Sequence, residues 1–69
     1  MQSQTPDYLI RPREVVARTG LSTSALHREV TASRFPRPVP LVPGGRAVGY
    51  SARAVQAWID ERLSAGGAA

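Results

Sequence analysis

EVVARTGLSTSALHREV, residues 14–30, decides the fold of this chain. Val15 and Val16 lie on a short helical pattern that stops at Gly20. A second start signal follows at once: Leu21, Ser22, then a run that puts Leu26 and Val30 on one face. Two helices joined by so tight a turn read as a helix-turn-helix, which holds its second helix out as a rod of the shape that enters a DNA major groove. The outer face of that rod carries Thr23, Ser24, His27 and Arg28.

On the N-terminal side, residues 1–7 are polar and are expected to form a disordered lead-in. Tyr8, Leu9 and Ile10 anchor the entry to a first helix expected over Pro12–Thr19, whose first turn accepts Pro12 because its N–H would be unpartnered in any case. Gly20 supplies a left-handed cap. The second helix is expected over residues 23–32, with Ser22 as N-cap and Leu21 and Leu26 as a hydrophobic staple. After SRFPR (33–37), Phe35 returns the chain to the core.

Residues 38–50, PVPLVPGGRAVGY, exclude helix, since Pro36, Pro38, Pro40 and Pro43 fall within eight positions. Val39 and Leu41, then Ala47, Val48 and Tyr50, suggest two short strands around the turn Pro43-Gly44-Gly45-Arg46, a wing rather than a sheet. Ser51 repeats the logic of Ser22, with Tyr50 and Val55 as its staple pair. Val55, Trp58, Ile59 and Leu63 follow the spacing of an amphipathic third helix ending near Ser64, and residues 65–69 read as a flexible tail. The expected fold class is mainly α: a small winged helix-turn-helix of three helices and a short β-hairpin, occupying residues 8–64 as one domain.

A chain of 69 residues builds only a small core, and it has no Cys to staple it. One His and five scattered carboxylates give no metal-ligand cluster, and no nucleophile, base and acid converge in the pattern, so neither cofactor nor enzymatic activity is expected. The net charge is +4, and all nine basic residues are Arg. That charge predicts attraction to polyanions. No apolar run approaches the roughly 20 residues of a membrane span, and the start MQSQTPDY has no basic-then-apolar leader pattern, so a cytoplasmic protein without membrane association is expected.

Between Glu29 and Asp60 there is no acid, while Arg34, Arg37, Arg46 and Arg53 all occur. The expected partner is therefore double-stranded DNA. Thr23, Ser24, His27 and Arg28 are the candidate base readers, and Arg34, Arg37 and Arg46 the phosphate or wing contacts. Each has a plainer reading: Thr23 and Ser24 as first-turn residues, His27 and Arg28 as solvated, Arg46 as a polar turn. Trp58 could stack on bases in principle, but its place on the apolar stripe with Ile59 assigns it to the core. A different class of function, a protein–protein interaction module using the Trp58 helix, is the alternative.

LIRPREVVARTGLSTSALHREV, then RFPRPVPL, then GRAVGYSARAVQAWIDERL, together covering about residues 8–63, resemble the AlpA family of prophage regulatory proteins. These are relatives of the excisionase and MerR-type DNA-binding domains. The resemblance implies sequence-specific DNA binding in transcriptional regulation or as an excisionase-like recombination directionality factor. It also implies integrase or RNA polymerase as protein partners and admits an oligomer on DNA. The chain departs from the family pattern at His27, where an aromatic is common, and at Arg53 and Ala54, where an acid commonly precedes Val55. Arg53 opposes the dipole at the start of the third helix.

Overall fold

A computed structural model describes residues 6–67 of the chain. The element order is β1 (Leu9–Ile10), α1 (Pro12–Thr19), α2 (Thr23–Thr31), β2 (Val39–Pro40), β3 (Val48–Ser51) and α3 (Ala52–Gly67). This is a small winged helix-turn-helix, three helices with a small antiparallel sheet.

The first helix has the bounds its signals require. Pro12 opens it, and Gly20 closes it in the left-handed region at φ 80°, donating its N–H to the Val16 carbonyl. Within α2, the Ser22 hydroxyl accepts the Ala25 N–H at 3.0 Å. The helix stops one residue earlier than expected, with Ala32 as its C-cap. Ser33 then takes φ 62°, and its N–H bonds the Val30 carbonyl while the Arg34 N–H reaches back to the Glu29 carbonyl. These two bonds form a Schellman motif with Ser, not Gly, in the left-handed position.

The wing is part of a sheet, which corrects the sequence reading. β3 is the central strand, paired antiparallel with β2 on one side and with β1 on the other, in the order β1-β3-β2. Leu9 and Ile10, read only as an anchor, pair with Ser51 and Tyr50, and the Ala52 N–H continues the ladder to the Tyr8 carbonyl. Gly49 sits in the middle strand where a Cβ would come within 2.8 Å of Leu41 and 3.0 Å of Leu9, so only Gly lets those side chains close over the strand. The hairpin turn is Val42–Gly45, closed by the Gly45 N–H on the Val42 carbonyl, with Pro43 second and Gly44 third at φ 77°. Arg46 follows that turn.

The core comprises Ile10, Val15, Leu26, Phe35, Tyr50, Ala52 and Val55, with Val16, Leu21, Val30, Trp58 and Ile59 packed at its margin. Both staple partners, Leu26 and Val55, are in it, as expected. Leu63 is not: it is 66% exposed. The third helix runs to Gly67 rather than Ser64, a rod of about 24 Å that outreaches so small a core, so the last turn of its apolar stripe has nothing to cover. None of the described helices is long and apolar enough to cross a membrane.

Asp7 belongs to the folded unit. One carboxylate oxygen accepts the Arg53 N–H at 3.0 Å, and the other accepts the Ser51 hydroxyl, which itself accepts the Ala54 N–H at 3.0 Å. Two of the unpartnered N–H groups that open any helix are thereby satisfied, one of them from 46 residues away. The first turn of α3 contains no acid, so Asp7 also brings the negative charge that offsets Arg53 at the positive end of the helix dipole. The hydrogen bonds to the carboxylate, that from Ser51 first, then that from the Arg53 N–H, with a smaller one from the Tyr8 N–H, hold its pKa below the ordinary value. The rest of the expected lead-in, residues 1–5, lies outside the described residues, as do residues 68 and 69 of the expected tail.

Candidate nucleic-acid interface

An α-helix turns about 100° per residue, so the burial of Leu26 fixes where every other side chain of α2 points. Val30 falls beside Leu26 and is half-buried. Thr23, His27, Thr31, Ser24 and Arg28 follow around an exposed arc about 140° wide, with Ser24 and Arg28 nearly opposite Leu26. All four residues read from sequence as base contacts therefore share one open face.

That face borders a strip of three adjoining hollows, neighbouring hollows sharing lining residues. Its centre is lined by Thr23, Leu26, His27 and Val30 of α2, by Pro12 of α1, and by Pro38, Val48 and Tyr50 of the wing. Through Pro12 it runs on into a hollow formed with Arg11 and Arg13. Through Val30 and Pro38 it continues past Thr31 to Arg37. Among the described residues, none lining this strip is a carboxylate.

The five acids of the chain are engaged or placed elsewhere. Asp7 caps α3. Glu14 pairs with Arg18 at 2.7 Å, and Arg18 also donates to the Tyr8 hydroxyl; that bond first, then the bond to Glu14, raises the guanidinium pKa. Asp60 accepts the Gln56 side-chain amide at 2.9 Å. Glu61 lines a separate groove with Phe35, Pro36 and Trp58. Glu29 accepts the Arg34 Nε and Nη2 groups, one on each carboxylate oxygen, both at 3.0 Å. That bond to Arg34 lowers the Glu29 pKa, with smaller contributions from the charges of Arg62 and Arg28.

Arg34, Arg37 and Arg46 are all exposed, but they are not equivalent. Arg37 and Arg46 form no ion pair among the described residues. Arg34 is oriented by Glu29, its carbonyl accepts the Trp58 indole N–H at 3.0 Å, and only its remaining guanidinium donors are without a partner among the described residues. A pair five residues apart, across the end of a helix, follows no helical spacing and could not be read from sequence.

Trp58 packs as its stripe indicates. Its ring lies 5.0 Å from that of Phe35, Phe35 in turn meets Tyr50 edge-on at 5.8 Å, and the Arg62 guanidinium stands 4.6 Å above the indole. It is half-buried at the core's margin rather than enclosed. Burial also pushes the Tyr50 hydroxyl pKa up, so that phenol stays neutral beside the strip. Arg11 and Arg13 also line the strip, a placement the sequence does not reveal. The available signal was two arginines flanking a helix-opening proline, and nothing in the linear order said that this end of α1 lies beside α2.

The family model described as prophage CP4-57 regulatory protein (AlpA) matches residues 8–63. No match was found among curated proteins or among solved structures. The matched span runs from the residue before β1 to deep within α3 and includes every element that builds the strip. The chain belongs to the AlpA family of prophage regulatory proteins.

Proposed function

We propose that this AlpA-family protein binds double-stranded DNA sequence-specifically, as a transcriptional regulator or an excisionase-like recombination directionality factor. The observation that carries the reading is the exposed face of α2 together with the carboxylate-free strip it borders, which ends in arginine. Such a surface presents hydroxyl, imidazole and guanidinium donors to base edges and unpaired cations to phosphates. In this reading Thr23, Ser24, His27 and Arg28 meet the bases. Arg37 and Arg46 hold phosphates, Arg46 from the wing, and Arg34 adds a phosphate contact through the donors Glu29 leaves open. Action is by occupancy: the bound protein recruits or blocks RNA polymerase, or shapes an attachment site for integrase.

A protein-binding role for the Trp58 helix is less well supported. The indole already has Phe35 on its ring, Arg62 above it and the Arg34 carbonyl on its N–H, which leaves little of it to present to a partner.

Fluorescence anisotropy with a labelled random duplex, repeated across a salt series, tests the DNA reading. Each phosphate neutralised contributes about 0.9 to the slope of log K against log salt, so three or more arginine contacts predict a slope steeper than about −2.7. An affinity that does not change with salt overturns the reading.

A further inference from the structure

Arg11 and Arg13 flank Pro12, and Pro12 also lines the central part of the strip beside Thr23 and His27. Both arginines are exposed, and neither forms an ion pair among the described residues. Pro12 between them thus sets the pair near the N-terminal end of α2. Arg37 lies beside its C-terminal end, where it shares a hollow with Val30 and Thr31. The helix between them has nine residues and is about 14 Å long, against a major groove about 12 Å wide. Set across that groove, a helix of this length carries groups beyond its two ends to backbone on opposite walls.

We propose that Arg11 and Arg13 form a second phosphate anchor, at the opposite end of the strip from Arg37, so that α2 is gripped across both strands of the duplex. This rests on the DNA-binding reading above. It extends the footprint to the start of α1, and it makes the orientation of α2 depend on a residue pair outside α2 and the wing. With cations at one end only, the helix could pivot in the groove; with both ends held, it presents His27 and Arg28 to the same base positions on each encounter.

The test is the salt series repeated on three variants. Arg11→Gln/Arg13→Gln is expected to lower the magnitude of the slope by about 1.8, two phosphates at about 0.9 each. Arg11→Lys/Arg13→Lys keeps the charge and is expected to restore most of it. Arg53→Gln/Arg62→Gln removes the same charge from α3, outside the strip, and is expected to leave the slope as in the wild type. Phosphate ethylation interference on the wild type, which needs no variant, is expected to mark two backbone patches on opposite strands. A wild-type slope that survives unchanged in the Gln pair, or an interference pattern with one patch, overturns the anchor and leaves the DNA reading standing. Equal losses in the Arg11/Arg13 and Arg53/Arg62 variants also overturn it, because the effect is then net charge rather than position. A wild type without salt-dependent binding removes both.

Discussion

The two sides of α2 treat arginine in opposite ways. At the C-terminal end of α2 and on α3, Arg34 is clasped by Glu29 and Arg62 lies on Trp58, so each guanidinium already has a partner within the fold, Arg34 keeping only the donors that Glu29 leaves open. On the strip side, Arg11, Arg13 and Arg37 stand without ion pairs among the described residues, around a surface that offers them no carboxylate. Leaving like charges together and unpaired gains nothing for a folded domain. The contrast therefore separates residues that stabilise the fold from residues available to a polyanion, and composition alone, with nine arginines alike, could not make that separation.

The largest effect is expected from breaking the structural side. Trp58→Ala removes the ring packed at 5.0 Å from Phe35, the bond to the Arg34 carbonyl and the seat of Arg62. Loss of a fully buried Trp costs about 3–5 kcal/mol, and since this ring is half-buried the lower end, about 3 kcal/mol, is expected. A stability loss of that size is a large share of what a small domain has. Thermal melting checks it. Melting unchanged from the wild type, with indole fluorescence quenched by added duplex, would move Trp58 from the packed side to the binding side.

Much of this division was legible in the sequence, and what was not has physical reasons. The helix bounds Pro12–Thr19 and the Ser22 cap rest on local chemistry: a proline, a glycine and a hydroxyl, each acting within four residues. Strand β1 has two residues, too few to show an alternating pattern, and it pairs with Ser51 and Tyr50 across some forty positions. Asp7 looks like one more polar residue of a tail until the fold brings α3 to it. Leu63 kept the periodicity of the stripe but lies beyond the reach of the core, because periodicity records a face and not where the neighbouring layer ends. The open face of Thr23, Ser24, His27 and Arg28 follows from helix geometry alone; the strip that extends it to Arg11, Arg13 and Arg37 is tertiary.

The proposed binding side is sharpened by a pair of variants. Arg28→Ala, on the exposed arc of α2, is expected to cost about 1–3 kcal/mol on the preferred site and to relax preference at one base position. Arg46→Ala, beyond the wing turn, is expected to weaken all duplexes alike. Binding measured over a panel of single-base site variants distinguishes them, and indistinguishable profiles would contradict the division between base reader and phosphate contact. Neither variant is expected to shift the melting temperature much, since neither residue is buried.

A smaller effect, of opposite sign, is expected where α2 ends. Ser33 holds φ 62° in a Schellman motif that ordinarily takes Gly, and the position C-terminal to it is Arg34, whose pair with Glu29 stands where such motifs usually have an apolar contact. Ser33→Gly removes the left-handed strain and is expected to stabilise by up to about 1 kcal/mol, less the entropy glycine adds to the unfolded chain. Binding to DNA should not change, because Ser33 lies in the groove with Phe35 and Trp58, not in the strip. A destabilised Ser33→Gly would show that the left-handed strain at Ser33 is smaller than the entropy glycine adds to the unfolded chain.

The smallest effect belongs to Asp7, and it appears only in acid. Hydrogen bonds from Ser51 and from the Arg53 N–H depress its folded pKa below the unfolded value. A depressed carboxylate contributes stability that is fully present above its unfolded pKa and is lost as pH falls through the folded one. The loss therefore belongs below the ordinary aspartate range, not near neutrality. Glu29, lowered by Arg34, loses its contribution in the same direction, so the wild-type acid decline alone cannot be assigned to either residue. Asp7→Asn isolates it: the amide oxygen can still accept the Arg53 N–H, but the charge facing the start of α3 is gone at every pH. The variant is expected to melt slightly below the wild type at neutral pH, with the gap closing as the wild-type Asp7 is protonated. A gap that stays constant down into strong acid would mean that Asp7 acts through shape and hydrogen bonding alone, and that the start of α3 does not depend on its charge.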